Sequence, residues 1–227
     1  MKQKFTILFD LDGTLVDTAP DLMRAHNHVM KQFGYPTKST EEIRNLVGQG
    51  AGAMLGRSIW GQAKKEFGKV QDENIKKEMV KEFVDYYGKN IVNESTLISG
   101  VKEFLIWAKE KKISMAVCTN KQEHLAIDLL KKIGIYDFFE YVAGHNTFEY
   151  CKPDPRHLTS VVEILDGDIK KTLMIGDSET DANAARDAGI PLILLEDGYT
   201  EKNTTEIYHN HLIKDFVGIE KIVTKYL

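Results

Sequence analysis

An α/β fold built on a parallel sheet is predicted by three features of the sequence. These are short apolar runs rich in β-formers, helix-period segments between the later runs, and polar residues set directly after them. The runs are FTILF (5–9), SMAVC (114–118), TLMIG (172–176) and PLILL (191–195), with YVAG (141–144) as a fifth candidate. Their unbroken apolar character is what a strand covered on both faces requires.

After the first run the chain does not return to strand character until residue 114. An ordinary crossover needs only about a dozen residues, so this gap is out of scale. It holds helical patterns instead: Ile43, Leu46 and Val47, then Met54, Leu55 and Ile59, then Ile75, Met79, Phe83 and Tyr86. The reading is a helical insert over 16–95, leaving 1–15 and 96–227 as the core. SGVKEFL reopens the core, with Ser99 or Gly100 starting a helix whose apolar positions are 101, 104, 105 and 108. A second core helix repeats at 126, 129, 130 and 133. In the tail from Thr200, EKNTTEI reads as a surface segment and DFVGIEKIV as a final amphipathic helix.

At 227 residues the chain can form one domain or two, and 42% hydrophobic with 28% charged residues is an ordinary globular balance. A net charge of −4 without a basic stripe argues against a nucleic-acid partner. No run of about 18 apolar residues marks a membrane span, and Asp10 interrupts the apolar start before a signal peptide can form. Cys118 and Cys151 form no CxxC pair, so a reduced cytoplasmic setting is expected, with the chain a monomer or homodimer.

In open α/β sheets ligands bind beyond the carboxyl ends of the strands. The first run is followed there by Asp10 and Asp12, the second by Thr119 and Asn120, and the TLMIG run by Asp177 and Asp181, while Lys152 follows the YVAG region. Crowded carboxylates are costly unless a cation or donors offset them. Oxygen ligands of this kind suit Mg²⁺, and a lysine with a hydroxyl suits a phosphate. A carboxylate beside a metal and a lysine suits a nucleophile that becomes an aspartyl-phosphate, and a second carboxylate nearby suits a general acid/base.

FDLDGTLVDT, VCTNK, KPDP and GDSETDANAARDAG together resemble, in order, the four motifs of the haloacid dehalogenase superfamily. The resemblance implies a Rossmann-like core, a C1-type helical cap and Mg²⁺-dependent phosphoryl transfer. It makes Asp10 the nucleophile and Asp12 the general acid/base. Thr119, Asn120 and Lys152 fall to the phosphate, and Asp10, the Asp12 carbonyl, Asp177 and Asp181 to the metal. Asp12 separates the chain from dehalogenases and P-type ATPases, which lack an aspartate there. TLVDTAPDL, NLVGQGAGAML and EDGYT resemble the phosphoglycolate-phosphatase branch, which makes Gly48, Gln49 and Gly50 candidate substrate contacts. The implied function is hydrolysis of a small phosphorylated metabolite, 2-phosphoglycolate first. The alternatives are pyrophosphate, a range of sugar phosphates, or a β-phosphoglucomutase-like reaction. Leu22 stands where the mutases usually carry a histidine. FEYC before Lys152 departs from the branch pattern and bears on substrate identity. Outside enzymes, a phospho-aspartate receiver switch uses similar groups but needs neither DxDGT nor an insert.

Each residue also has a plain structural reading. Asp12-Gly13 suits a turn, Thr119-Asn120 a helix cap, Lys152 an exposed loop, and Asp177 with Asp181 a helix N-terminus. Asp17 is expected to cap the first insert helix, with Pro20 in its first turn, or to act as a hinge. His26 and His28 are expected in solvent or in helix packing.

Overall fold

A computed structural model describes the backbone of residues 4–60 and 70–227, and the side chains of these residues except 60 and 70–75. In chain order the elements are β1 (Thr6–Phe9), β2 (Val16–Asp17), α1 (Ala19–Gln32), α2 (Thr40–Arg44), α3 (Ala51–Trp60), α4 (Val70–Lys89) and β3 (Thr96–Leu97). There follow α5 (Val101–Glu110), β4 (Ser114–Cys118), α6 (Glu123–Lys132), β5 (Tyr141–Ala143), α7 (Arg156–Ile164), β6 (Thr172–Gly176), α8 (Glu179–Ala188), β7 (Leu192–Leu195), β8 (His211–Ile213) and α9 (Glu220–Val223).

Six strands form one sheet in the order β5-β4-β1-β6-β7-β8, with every neighbouring pair parallel. The two-residue side-chain period assigns each strand residue to one of two apolar layers. Ile7, Phe9, Met115, Val117, Leu173 and Ile175 pack with Phe104 and Leu105 of α5 and Leu129 and Leu130 of α6. Leu8, Ala116, Cys118 and Met174 pack on the other face with Leu158 and Val161 of α7 and Ala182 and Ala185 of α8. The Phe9 ring lies edge-on to Phe104 and Phe139 at 6.2 and 5.8 Å. Truncating such a ring to alanine costs about 3–5 kcal/mol.

Between β1 and α5 the described residues are mainly helical, as expected, but Val16 and Asp17 pair antiparallel with Leu97 and Thr96. This ladder joins the two ends of the insert and is too short to leave a sequence period. In α4 Met79 and Phe83 are buried and the next inward side chain is Tyr87, with Tyr86 only half-buried; the side chain of Ile75 lies outside the described residues. Helix α2 ends at Arg44, so Leu46 and Val47 fall beyond it, although Leu46 is still buried.

The tail differs more. It contributes the edge strand β8, which lies between the surface segment and the helix expected there. DFVGIEKIV yields only the four-residue α9, because Gly218 takes a left-handed φ of 81° just before it. Helix α5 starts from Gly100, one of its two candidate starts. His26 is buried with Nε2 2.7 Å from Ser58 Oγ, and His28 Nε2 lies 2.8 Å from Glu82 Oε1 while its ring stacks on Tyr86. Both therefore serve helix packing. No helix among the described residues is long and apolar enough to cross a membrane.

Candidate active site

Because all six strands run parallel, the residues after β1, β4 and β6 emerge at one edge. The Asp10 N–H donates to Ile175 O at 2.9 Å, extending the β1–β6 ladder by one residue. Likewise the Thr119 N–H donates to Ala143 O at 2.9 Å. Carboxylate oxygens of Asp10, Asp177 and Asp181 lie within 4.8 Å of one another, and all three residues are buried. Lys152 Nζ stands 2.8 Å from Asp10 Oδ1 and 2.6 Å from Asp181 Oδ1.

One ammonium among three buried carboxylates leaves an excess of negative charge. Burial, opposed by Lys152 but reinforced by Asp181 and Asp12, pushes the Asp10 carboxyl up to about 6. Burial and the charges of Asp10 and Asp181 raise Asp177 well above the carboxylate range. Burial would lower Lys152, but the two carboxylates outweigh it and raise it, so this lysine stays charged. Asp10 Oδ1 is buried and meets Lys152 only as an ion pair, without a hydrogen bond of good geometry. An all-oxygen set with excess charge and one oxygen so placed fits a hard divalent cation.

The oxygens of Asp177 and Asp181 are all hydrogen-bonded within the protein. Thr14 Oγ1 donates to Asp177 Oδ1 at 2.9 Å, and the Tyr199 N–H donates to Asp177 Oδ2 at 2.7 Å. Asp181 Oδ2 accepts from the Ser178 N–H and hydroxyl at 3.1 and 2.8 Å, closing the first turn of α8. Asp181 thus also does what its plain structural reading expected. Gly13 passes so close that a Cβ there would meet Asp177 Oδ2 at 2.3 Å, and its φ of 84° is left-handed. Only glycine fits both conditions.

Asp12, two residues from Asp10, points elsewhere. Its carboxylate stands 2.8 and 3.0 Å from Lys121 Nζ and accepts from Thr18 Oγ1 at 2.7 Å. Its side chain is thus not part of the acid cluster, which leaves only the backbone carbonyl for the metal role that the resemblance implies. Lys121 Nζ also donates to the Tyr87 hydroxyl at 3.0 Å and lies 4.4 Å from that ring's centroid. Lys121 and Tyr87 were missed from sequence. Lys121 stands in VCTNK, two residues after Thr119, but a lysine is by default solvent-exposed.

Thr119 is buried, and its Oγ1 accepts from the Lys121 N–H at 3.2 Å. Asn120 commits both amide hydrogens, one to Gly48 O and one to Lys152 O, each at 2.9 Å. Its side chain therefore joins three segments and has no amide hydrogen left for a phosphate. Gly48, Gln49 and Gly50 line the same cleft of about 1110 Å³ as Asp10, Asp12, Thr119 and Asp177.

Asp17 lies outside the cluster. Arg44 Nη2 is 2.6 Å from its Oδ2, and the Tyr199 hydroxyl donates to Oδ1 at 2.6 Å. Burial would raise the Asp17 carboxyl, but these hydrogen bonds hold it below the usual range. The Ala19 N–H also reaches Oδ1 at 3.3 Å, but the N-cap position of α1 is Thr18, so Asp17 precedes the cap it was expected to provide. Burial pushes the Cys118 thiol up to about 12 and raises Cys151 as well, so neither is an activated thiolate.

The family model described as haloacid dehalogenase-like hydrolase matches residues 7–195. The chain belongs to this family. Among haloacid dehalogenase-like hydrolases, it is 38% identical to the phosphoglycolate phosphatase of Caulobacter vibrioides, over 95% of this chain and 89% of that one. It is 36% identical to the phosphoglycolate phosphatase of Agrobacterium fabrum, over 96% and 94%. The crystal structure of a predicted phosphoglycolate phosphatase from Haemophilus somnus 129pt superposes with a TM-score of 0.88 at 32% identity, covering 98% of this chain and 99% of that one.

Proposed function

We propose that this haloacid dehalogenase-like hydrolase is a Mg²⁺-dependent phosphatase that cleaves a small phosphate monoester, 2-phosphoglycolate foremost, through a phosphorylated Asp10. The observation that carries the reading is the contrast between two carboxylates two residues apart. Asp10 sits in a buried acid cluster against Lys152, while Asp12 sits in the cleft against Lys121. Environments that differ this way assign different roles to similar groups.

In this reading an Asp10 oxygen attacks phosphorus and the ester P–O bond breaks, with a proton passing from Asp12 to the leaving oxygen. Asp12, now a carboxylate, then takes a proton from the water that cleaves the acyl-phosphate. Lys152 and Thr119 hold the transferring phosphoryl group. Asp10, the Asp12 carbonyl and Asp177 would hold Mg²⁺, with Asp181 supporting that shell. The ion supplies charge to offset the crowded carboxylates and the phosphate oxygens.

We assign residues 16–95 to a cap over the sheet edge and 1–15 with 96–227 to the core. The Asn120–Gly48 hydrogen bond and the 3.2 Å pair between Arg57 and Glu201 support a cap that meets the core at the cleft. Gly48, Gln49 and Gly50 lie where they would face the substrate. The choice of 2-phosphoglycolate follows the names of the relatives above. Leu22 lines the cleft at the position where mutases usually carry a histidine, which supports hydrolysis over a mutase reaction.

The test is phosphate release from 2-phosphoglycolate, pyrophosphate, β-glucose 1-phosphate and other sugar phosphates, with Mg²⁺ and with EDTA. Mg²⁺-dependent turnover highest on 2-phosphoglycolate is the expected result. A preference for pyrophosphate or a flat profile would overturn the substrate, and no turnover on any of them would overturn the phosphatase reading.

A further inference from the structure

We propose that Lys121 is a specificity-determining residue that pairs with an anionic group on the leaving side of the substrate, and that Tyr87 of α4 holds it there. The inference rests on the phosphatase reading above and adds what selects the substrate.

The Lys121 ammonium is nearly buried, with 5% of its side chain exposed, and it lines the cleft together with Asp12, Tyr87, Gly48 and Gly50. Its polar partners are the Asp12 carboxylate and the Tyr87 hydroxyl, and the Tyr87 ring lies against the charge. Two other cations that line the cleft are engaged away from Asp12. Arg57 pairs with Glu201 and donates to Asn45 O, and Lys202 lies 3.6 Å from Glu179.

Asp12 is the residue assigned to hand a proton to the leaving oxygen, so the Lys121 ammonium, 2.8 Å from its carboxylate, stands beside the leaving side of the substrate. In 2-phosphoglycolate one methylene separates the carboxylate from that oxygen, which brings the substrate's negative charge within reach of Lys121. An ammonium so nearly buried gains more from a further anionic partner than an exposed one would, and a neutral leaving group offers it none. The pairing therefore favours anionic over neutral leaving groups in kcat/KM.

The experiment compares kcat/KM on two matched pairs: 2-phosphoglycolate with 2-hydroxyethyl phosphate, and 3-phosphoglycerate with glycerol 1-phosphate. The first member of each pair carries a carboxylate and the second does not. Lys121→Met is expected to lower the anionic-to-neutral ratio by about 100-fold in the preferred pair. Tyr87→Phe keeps the ammonium and removes only its hydroxyl partner, so it supplies a readout should Lys121→Met fail to fold. It is expected to lower the same ratio about three-fold. An equal loss on both members of each pair would confine Lys121 to positioning Asp12 and overturn the inference. If wild type favours 3-phosphoglycerate over 2-phosphoglycolate and Lys121→Met still collapses the ratio, the named substrate fails while the role of Lys121 stands.

Discussion

At the sheet end of the cleft, Asp10 and Asp177 prolong the adjacent strands β1 and β6, and Asp181 closes the first turn of α8. At the mouth, Asp12 and Lys121 stand on loops, Tyr87 on an insert helix, and Gly48–Gly50 between α2 and α3. The inner end is held by ladder hydrogen bonds and buried charge, the outer by a few side-chain contacts across segments distant in sequence. Rigid elements suit groups that must not move during bond making, and loops suit groups that must differ between substrates. On the proposed reading the sheet end sets the reaction, and the choice of substrate falls to the mouth, where the core loop carrying Lys121 meets the insert.

The sharpest way to break this division is Asp10→Asn. Turnover should fall by about 10⁴-fold or more on every substrate, because the proposed nucleophile is common to all. The metal-free variant should melt no lower than metal-free wild type, since a crowded carboxylate is removed and Lys152 keeps Asp181. A low residual rate with a changed substrate order would show that the two ends are not separable. Gly13→Ala strikes the inner end from outside its charged set. The added Cβ would drive Asp177 from its place, with a loss of about 100-fold in kcat on all substrates alike. Wild-type kcat in that variant would mean that Asp177 tolerates displacement.

The charge of the inner end should also appear in metal binding. Without an ion Asp10 titrates near 6, above its ordinary 3.8, so between these values the folded protein holds a proton that the unfolded chain releases. That contribution to metal-free stability is present at low pH and is lost as pH rises through 6. Mg²⁺ needs the carboxylates unprotonated, so saturating ion should raise Tm by about 5 °C above pH 7 and by little at pH 5. A shift independent of pH, read by differential scanning fluorimetry, would remove Asp10 from the ion's ligands. The smallest effect is expected at the mouth. Gln49→Ala should change KM by about three-fold and kcat hardly at all, with the substrate order altered; a fall in kcat would place Gln49 in the chemical step.

Much of the inner end was legible in the sequence because Asp10, Thr119 and Asp177 each directly follow an unbroken apolar run, and the parallel sheet gathers the run ends. Asp181 and Lys152 lie further on, in α8 and beyond β5, and were found through the motifs that contain them. Tyr87 escaped because a helical period through Met79 and Phe83 admits either Tyr86 or Tyr87, and packing against α1 and α3 decides between them. Tyr199 escaped for another reason: its hydroxyl serves Asp17 and the N–H groups of Thr18 and Ala19, some 180 positions earlier. No local pattern encodes so distant a bond. The β2–β3 ladder, two residues per strand, is below the length at which alternation can be read.

The first strand made is the middle strand of the sheet. During synthesis β1 leaves the ribosome with both edges bare, gains β4 only after residue 118, and is closed by β6 only after residue 176. Its unpaired backbone edges must therefore wait through most of translation. Asp10 is the first charged residue of the site to be polymerised, so a chain released early carries Asp10 but no site around it.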